Sequence, residues 1–135
     1  MKTLLRFEEF FLFVFSIFLF ANLDVAWWWY PLLILTPDIG MIGYAVSPRI
    51  GAYSYNLLHH RGLAVSLFVV GFWLAAPILQ LAGAIMFGHA SLDRVFGYGL
   101  KHTDSFQHTH LGWIGEAAAS RELARPRLTR SRRTR

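Results

Sequence analysis

Apolar residues run almost unbroken from Phe10 to Leu23. They do so again from Val25 to Val46, from about Tyr53 to Ala76, and from Pro77 to about Tyr98. Extended back to Leu4, the first run is long enough to cross a hydrocarbon core about 30 Å thick. Glu8 and Glu9 sit badly in the basic start of a signal peptide, and Ala21-Asn22-Leu23-Asp24 is a poor cleavage site. The first run therefore reads as a retained span. Trp27-Trp28-Trp29-Tyr30 is suited to a membrane–water interface. Pro31, Pro37, Gly40 and Gly43 predict kinks or unwinding within the second stretch. Ser47 to Gly51 reads as a turn, and Pro77 separates the third and fourth stretches. The expected fold is all-α: a four-transmembrane-helix bundle over residues 1–115. Its last part, Lys101 to Gly115, is an ordered polar segment, and residues 116–135 are expected to be a disordered, Arg-rich tail.

Composition agrees with that pattern. The 135 residues are 55% hydrophobic and only 16% charged, against about 25% charged in ordinary soluble domains. Without cysteine there is no disulfide framework, thiolate metal site or cysteine nucleophile. The net charge of +5 is local: residues 121–135 hold seven Arg and one acid, Glu122, which leaves the body at −1. Lys/Arg bias predicts both termini on the cytoplasmic side, with the Trp cluster at the outer face. The expected partners are the lipid bilayer and, at the Arg tail, anionic headgroups. A second copy or another membrane protein is a further candidate. Nucleic acid is not expected, because the tail lacks interleaved aromatics and a folded module.

Against this background the polar residues inside the apolar runs stand out: Asp38, His59, His60, Arg61, His89, Asp93 and Arg94. At 1.5 Å rise per residue, Asp38, His59, His89 and Asp93 all fall roughly 8–13 Å from the cytoplasmic end of their stretches. His89 and Asp93 are i, i+4 and share a helix face, as do Tyr55 and His59. Imidazole nitrogens and carboxylate oxygens of this kind hold zinc. A divalent metal such as zinc is the cofactor this donor set implies, with Asp38, His59, His89 and Asp93 as ligands. His110 would be a catalytic proton shuttle or further ligand. The competing reading is structural: His89 and Asp93 as a buried pair, and Asp38 paired with Arg94 or Arg61. A proton or ion pathway is a third. No phosphate-binding glycine loop and no G-x-S-x-G elbow is present.

Four blocks then suggest a family: Pro37 to Tyr44, Tyr55 to His59, His89 to Lys101, and Phe106 with Thr109 to Gly112. Together they resemble a bacterial membrane family of unknown function, domain of unknown function 4260, over roughly residues 4 to 115. The resemblance implies a small multi-span protein of a bacterial inner (cytoplasmic) membrane, and no reaction. Its recurring polar positions match Asp38, Asn56, His59, His89, Asp93, Arg94 and His110, whereas His60-Arg61 and Gln107-His108 depart from it. A fainter similarity to membrane-bound metal-dependent hydrolases, resting on Pro37-Asp38 and His60-Arg61-Gly62, is too short to carry a claim. The functional expectation is an integral membrane protein with a buried His/Asp cluster. The alternatives are a metal-dependent hydrolase of a lipid-like or phosphoester substrate, a proton-relay or transport subunit, and a structural partner of a membrane complex.

Overall fold

A computed structural model describes residues 1–124. Helix α1 (Lys2–Ala21) is followed by a single short turn of helix, α2 (Trp29–Leu33), and by a 3₁₀-helix, Thr36–Ala45. Then come α3 (Pro48–His59), α4 (Arg61–Trp73) and α5 (Pro77–Phe96). Strands β1 (His108–Thr109) and β2 (Gly112–Trp113) form a small antiparallel hairpin before α6 (Glu116–Leu123).

Local chemistry sets the boundaries. Ser47 caps α3 by accepting from the Ile50 amide at 3.1 Å, with Pro48 pre-set at the first helical position. His60 interrupts the next run: its backbone is extended, and its Nδ1 accepts from the Leu63 amide at 3.1 Å as the cap of α4. Between α4 and α5 the reversal places Ala75 at φ 50°, the one non-glycine residue with positive φ among those described. α5 ends at Gly97, at φ 92°.

α5 is the central element, packed against α1 on one side and α4 on the other, while α3 packs against the 3₁₀-helix. The core joins Phe20, Tyr30, Ala84 and Ile85, with Phe13, Leu33 and Phe68 around it. Within it the buried hydroxyls of Ser16 and Tyr30 satisfy each other. An ion pair of 2.6 Å from Arg61 to Glu9 ties α4 to α1. Asn56 on α3 holds the return strand: its Nδ2 donates to the Lys101 carbonyl at 2.8 Å and its Oδ1 accepts from the Lys101 amide at 2.7 Å. On its other side Lys101 bridges to Thr109.

The all-helical expectation holds, but the four-transmembrane-helix bundle does not. No helix among the described residues is long and apolar enough to cross a membrane. The apolar runs mislead because several are broken. The second divides into a five-residue helix and the 3₁₀-helix. The third divides at His60 into helices of 12 and 13 residues, against about 20 needed to span. The two 20-residue helices are diluted by polar groups, α1 by Lys2, Arg6, Glu8 and Glu9, and α5 by Gln80, His89, Asp93 and Arg94. The stretch expected to be disordered begins with α6, and residues 125–135, with most of its arginines, lie outside the described residues.

Candidate metal centre

The broken elements bring three distant residues together. Asp38 lies in the first turn of the 3₁₀-helix, His59 at the last turn of α3, and His89 in the second half of α5. One donor atom of each lies within 4.8 Å of the other two. Two residues after Asp38, Gly40 allows the approach: a Cβ there would stand 2.8 Å from the Ser54 carbonyl oxygen and 3.1 Å from Tyr55 Cα. Ser54 Oγ donates to the Gly40 carbonyl at 2.6 Å and fixes the contact. The 3₁₀-helix is thus pressed against α3 one turn before His59.

The two imidazoles are 3% and 2% exposed, so each ring nitrogen must be accounted for. His59 Nδ1 is 2.8 Å from the Tyr55 carbonyl, and His89 Nδ1 is 2.7 Å from the Ile34 carbonyl. A carbonyl can only accept, so both Nδ1 atoms carry the proton. In the neutral rings both Nε2 atoms then present lone pairs. They face each other at 2.9 Å, with ring planes 76° apart. Two lone pairs at that distance repel unless a cation or a proton lies between them.

Two carboxylates complete the cluster. Asp38 Oδ1 is 3.4 Å from His89 Nε2 and 3.6 Å from His59 Nε2. Asp93 Oδ2 is 3.5 Å from His59 Nε2, and its Oδ1 is 3.8 Å from His89 Nε2. Asp93 also accepts from Tyr55 Oη at 2.6 Å. The Tyr55 ring stacks on His59, 3.6 Å between centroids, and fixes its orientation. In a tetrahedral site with bonds of about 2.0–2.1 Å the ligands stand about 3.3 Å apart, and the observed separations bracket that value. The Asp38 side chain is 36% exposed and that of Asp93 21%, so solvent reaches the carboxylate side.

Electrostatics follow from burial. Desolvation, and next the neighbouring His89, push the His59 pKa down, so the uncharged ring is favoured. Burial, and next the Asp93 carboxylate, push the Tyr55 phenol well up, so it remains a donor. The Lys101 ammonium lies over the rings of Phe106 at 4.0 Å and Tyr55 at 5.0 Å. Burial pushes its pKa down, and the charges of Asp93 and Asp38 oppose that.

Asp38, His59, His89 and Asp93 are therefore together. His110 stands apart: its Nδ1 accepts from the Leu100 amide at 2.8 Å, pinning the chain after α5. Arg61 is taken by Glu9 and does not pair with Asp38. Sequence reasoning missed Lys101 as a neighbour of the cluster. Its only signal was a lysine after the Gly97-Tyr98-Gly99 helix end, which reads equally well as a solvated residue.

No curated protein and no solved structure matches the chain. A family model described as "Domain of unknown function (DUF4260)" matches residues 2–114. That span contains every residue of the cluster and all elements from α1 to β2, and the chain belongs to the DUF4260 family.

Proposed function

We propose that this protein binds a divalent cation of the zinc type through Asp38, His59 and His89, with the Asp93 carboxylate beside them. The observation that carries the reading is the pair of Nε2 lone pairs, each fixed by an Nδ1–H donated to a backbone carbonyl, converging at 2.9 Å beside two carboxylates. Metal-binding histidines characteristically use the second nitrogen in this way. Two neutral imidazoles and two carboxylates sum to −2, which a divalent cation neutralises.

The chemistry supported by such a centre is hydrolysis of an ester or phosphoester. With Asp38, His59 and His89 as ligands, a tetrahedral centre would keep its fourth position for water on the solvent-facing carboxylate side. A bound cation would lower that water's pKa and polarise the substrate oxygen. Water divides across the ester bond, its hydroxyl to phosphorus or carbonyl carbon and its proton to the leaving oxygen. Asp93, which accepts from Tyr55, would pass that proton. The same 2.9 Å distance also fits one proton shared by the two nitrogens, which makes the cluster a packing or relay element.

Metal analysis separates the two. Protein exposed to Zn2+ and then dialysed is expected to retain about one ion per chain. His89→Ala and His59→Ala should lose it while keeping their helical circular dichroism. A folded wild-type chain that retains no metal would leave the shared proton as the explanation.

A further inference from the structure

A second concave site lies apart from the ligand atoms. A cleft of about 510 Å3 opens between the first turns of α1, the end of α5 and the hairpin. This volume is within the range of about 300–1,000 Å3 common for small-molecule sites. Lys2, Arg6 and Arg94 line it, and among the described residues none of the three has an ion-pair partner. Glu9, the one acid in the lining, is already held by Arg61 at 2.6 Å. The rest of the wall is largely apolar, including Leu5, Phe96, Leu111 and Trp113. Arg6 also lines a second groove of about 290 Å3, whose other walls are Thr3, Phe7, Phe10 and Val95. A cationic cleft and an apolar groove thus meet at one arginine.

Three cations around one cleft repel one another, and an anion between them removes that cost. Guanidinium groups hold phosphate or carboxylate oxygens through paired N–H donors. The aromatic and aliphatic walls add nothing for a bare inorganic ion, but they shield an attached hydrocarbon chain from water.

We infer that the cleft and groove together bind one amphipathic anion, its phosphate or carboxylate head on Arg6 and Arg94 and its hydrocarbon tail along Phe7 and Phe10. The site stands on its own residues and goes beyond the metal reading. Arg94 directly follows Asp93 in α5, so a molecule bound here lies against the same stretch of helix as the His/Asp cluster.

Calorimetric titration tests this, with the full chain kept in excess dodecyl maltoside so that neutral apolar binding is saturated. Dodecyl phosphate is expected to bind at one per chain. Arg6→Gln and Arg94→Gln should each weaken it at least 10-fold, and the double variant should abolish it. Inorganic phosphate should bind at least 10-fold more weakly than dodecyl phosphate. Dodecanoate identifies the head: whichever of the two amphiphiles binds more tightly names it, and either supports the site. His89→Ala should leave the binding unchanged. The inference is overturned if neither dodecyl phosphate nor dodecanoate shows saturable binding, if folded arginine variants bind the tighter of the two as wild type does, or if inorganic phosphate binds as well as that amphiphile. Loss of binding in His89→Ala with Arg6→Gln unaffected would also overturn it, by moving the ligand to the metal centre.

Discussion

His59 and His89 are 30 positions apart and meet Nε2 to Nε2 at 2.9 Å, each ring anchored through its other nitrogen to a backbone carbonyl. Neither anchor is incidental. Ile34 caps the end of α2, where carbonyls lose their helical partners, and His89 satisfies one of them. Tyr55 is one turn before His59 on the same helix, so its carbonyl aligns the ring with the helix axis.

Ligand linkage gives the first prediction. A cation at about 100 times its dissociation constant stabilises the fold by about 2.7 kcal/mol. Chelation is expected to lower the melting temperature of wild type by several degrees and to leave His59→Phe/His89→Phe unaffected. Differential scanning calorimetry with and without EDTA measures both, and equal chelator effects would count against the centre.

Gly40 should be as sensitive as a ligand. A methyl group there must displace the Ser54 carbonyl or the Tyr55 backbone, and neither is a flexible side chain. Gly40→Ala is expected to cost about 1–3 kcal/mol in urea unfolding. It should also weaken metal binding at least 10-fold, because Asp38 moves with the 3₁₀-helix. Unchanged affinity would show that Asp38 is not held through this contact.

Ala75 points the other way. At φ 50° an L-residue with a Cβ is strained, and glycine is not. Ala75→Gly is expected to stabilise the α4–α5 reversal by about 0.5–1 kcal/mol, after the added flexibility of the unfolded chain is deducted. The urea midpoint should rise, and a fall would mean that the turn relaxes in solution.

Lys101 gives a pH dependence. Its folded pKa is lowered by burial below the ordinary 10.5. Between the folded and unfolded values the unfolded chain binds more protons, so stability rises with pH across that window. Compared with Lys101→Met, which has no group to titrate, wild type should therefore gain stability as pH climbs toward 10.5. Urea unfolding of both proteins at pH 7, 9 and 10.5 reads the difference, and a constant difference would contradict the burial of the charge.

The polar cluster is more legible in the sequence than the architecture is. Asp38, His59, His89 and Asp93 were legible because ionisable groups in apolar surroundings are costly wherever those surroundings lie. That logic holds without a bilayer, and the four side chains do converge. The span count failed because hydropathy averages over breaks. His60 looked like one more polar residue, yet its side chain ends one helix and caps the next. Pro31, Pro37 and the two glycines predict kinks within a span, but the chain there changes helix type. The Lys101 environment is illegible because it depends on rings from α3 and from the segment before the hairpin that meet only in the fold.

Asn56 has a consequence of a different kind. Its amide group engages both the N–H and the C=O of Lys101, as a neighbouring strand would. Lys101 already lies on the open edge of the hairpin through its bridge to Thr109, so Asn56 adds a one-residue imitation of a fourth strand, presented by a helix. Because the bonds go to main chain, this docking ignores the side chain at position 101 and excludes only proline there, which lacks the N–H. Position 56 has no such latitude: aspartate lacks the donor, leucine lacks both groups, and glutamine carries its amide one methylene farther out. Mutational tolerance at this junction should therefore be lopsided, with the helix residue fixed by shape and its strand partner free as far as this contact is concerned.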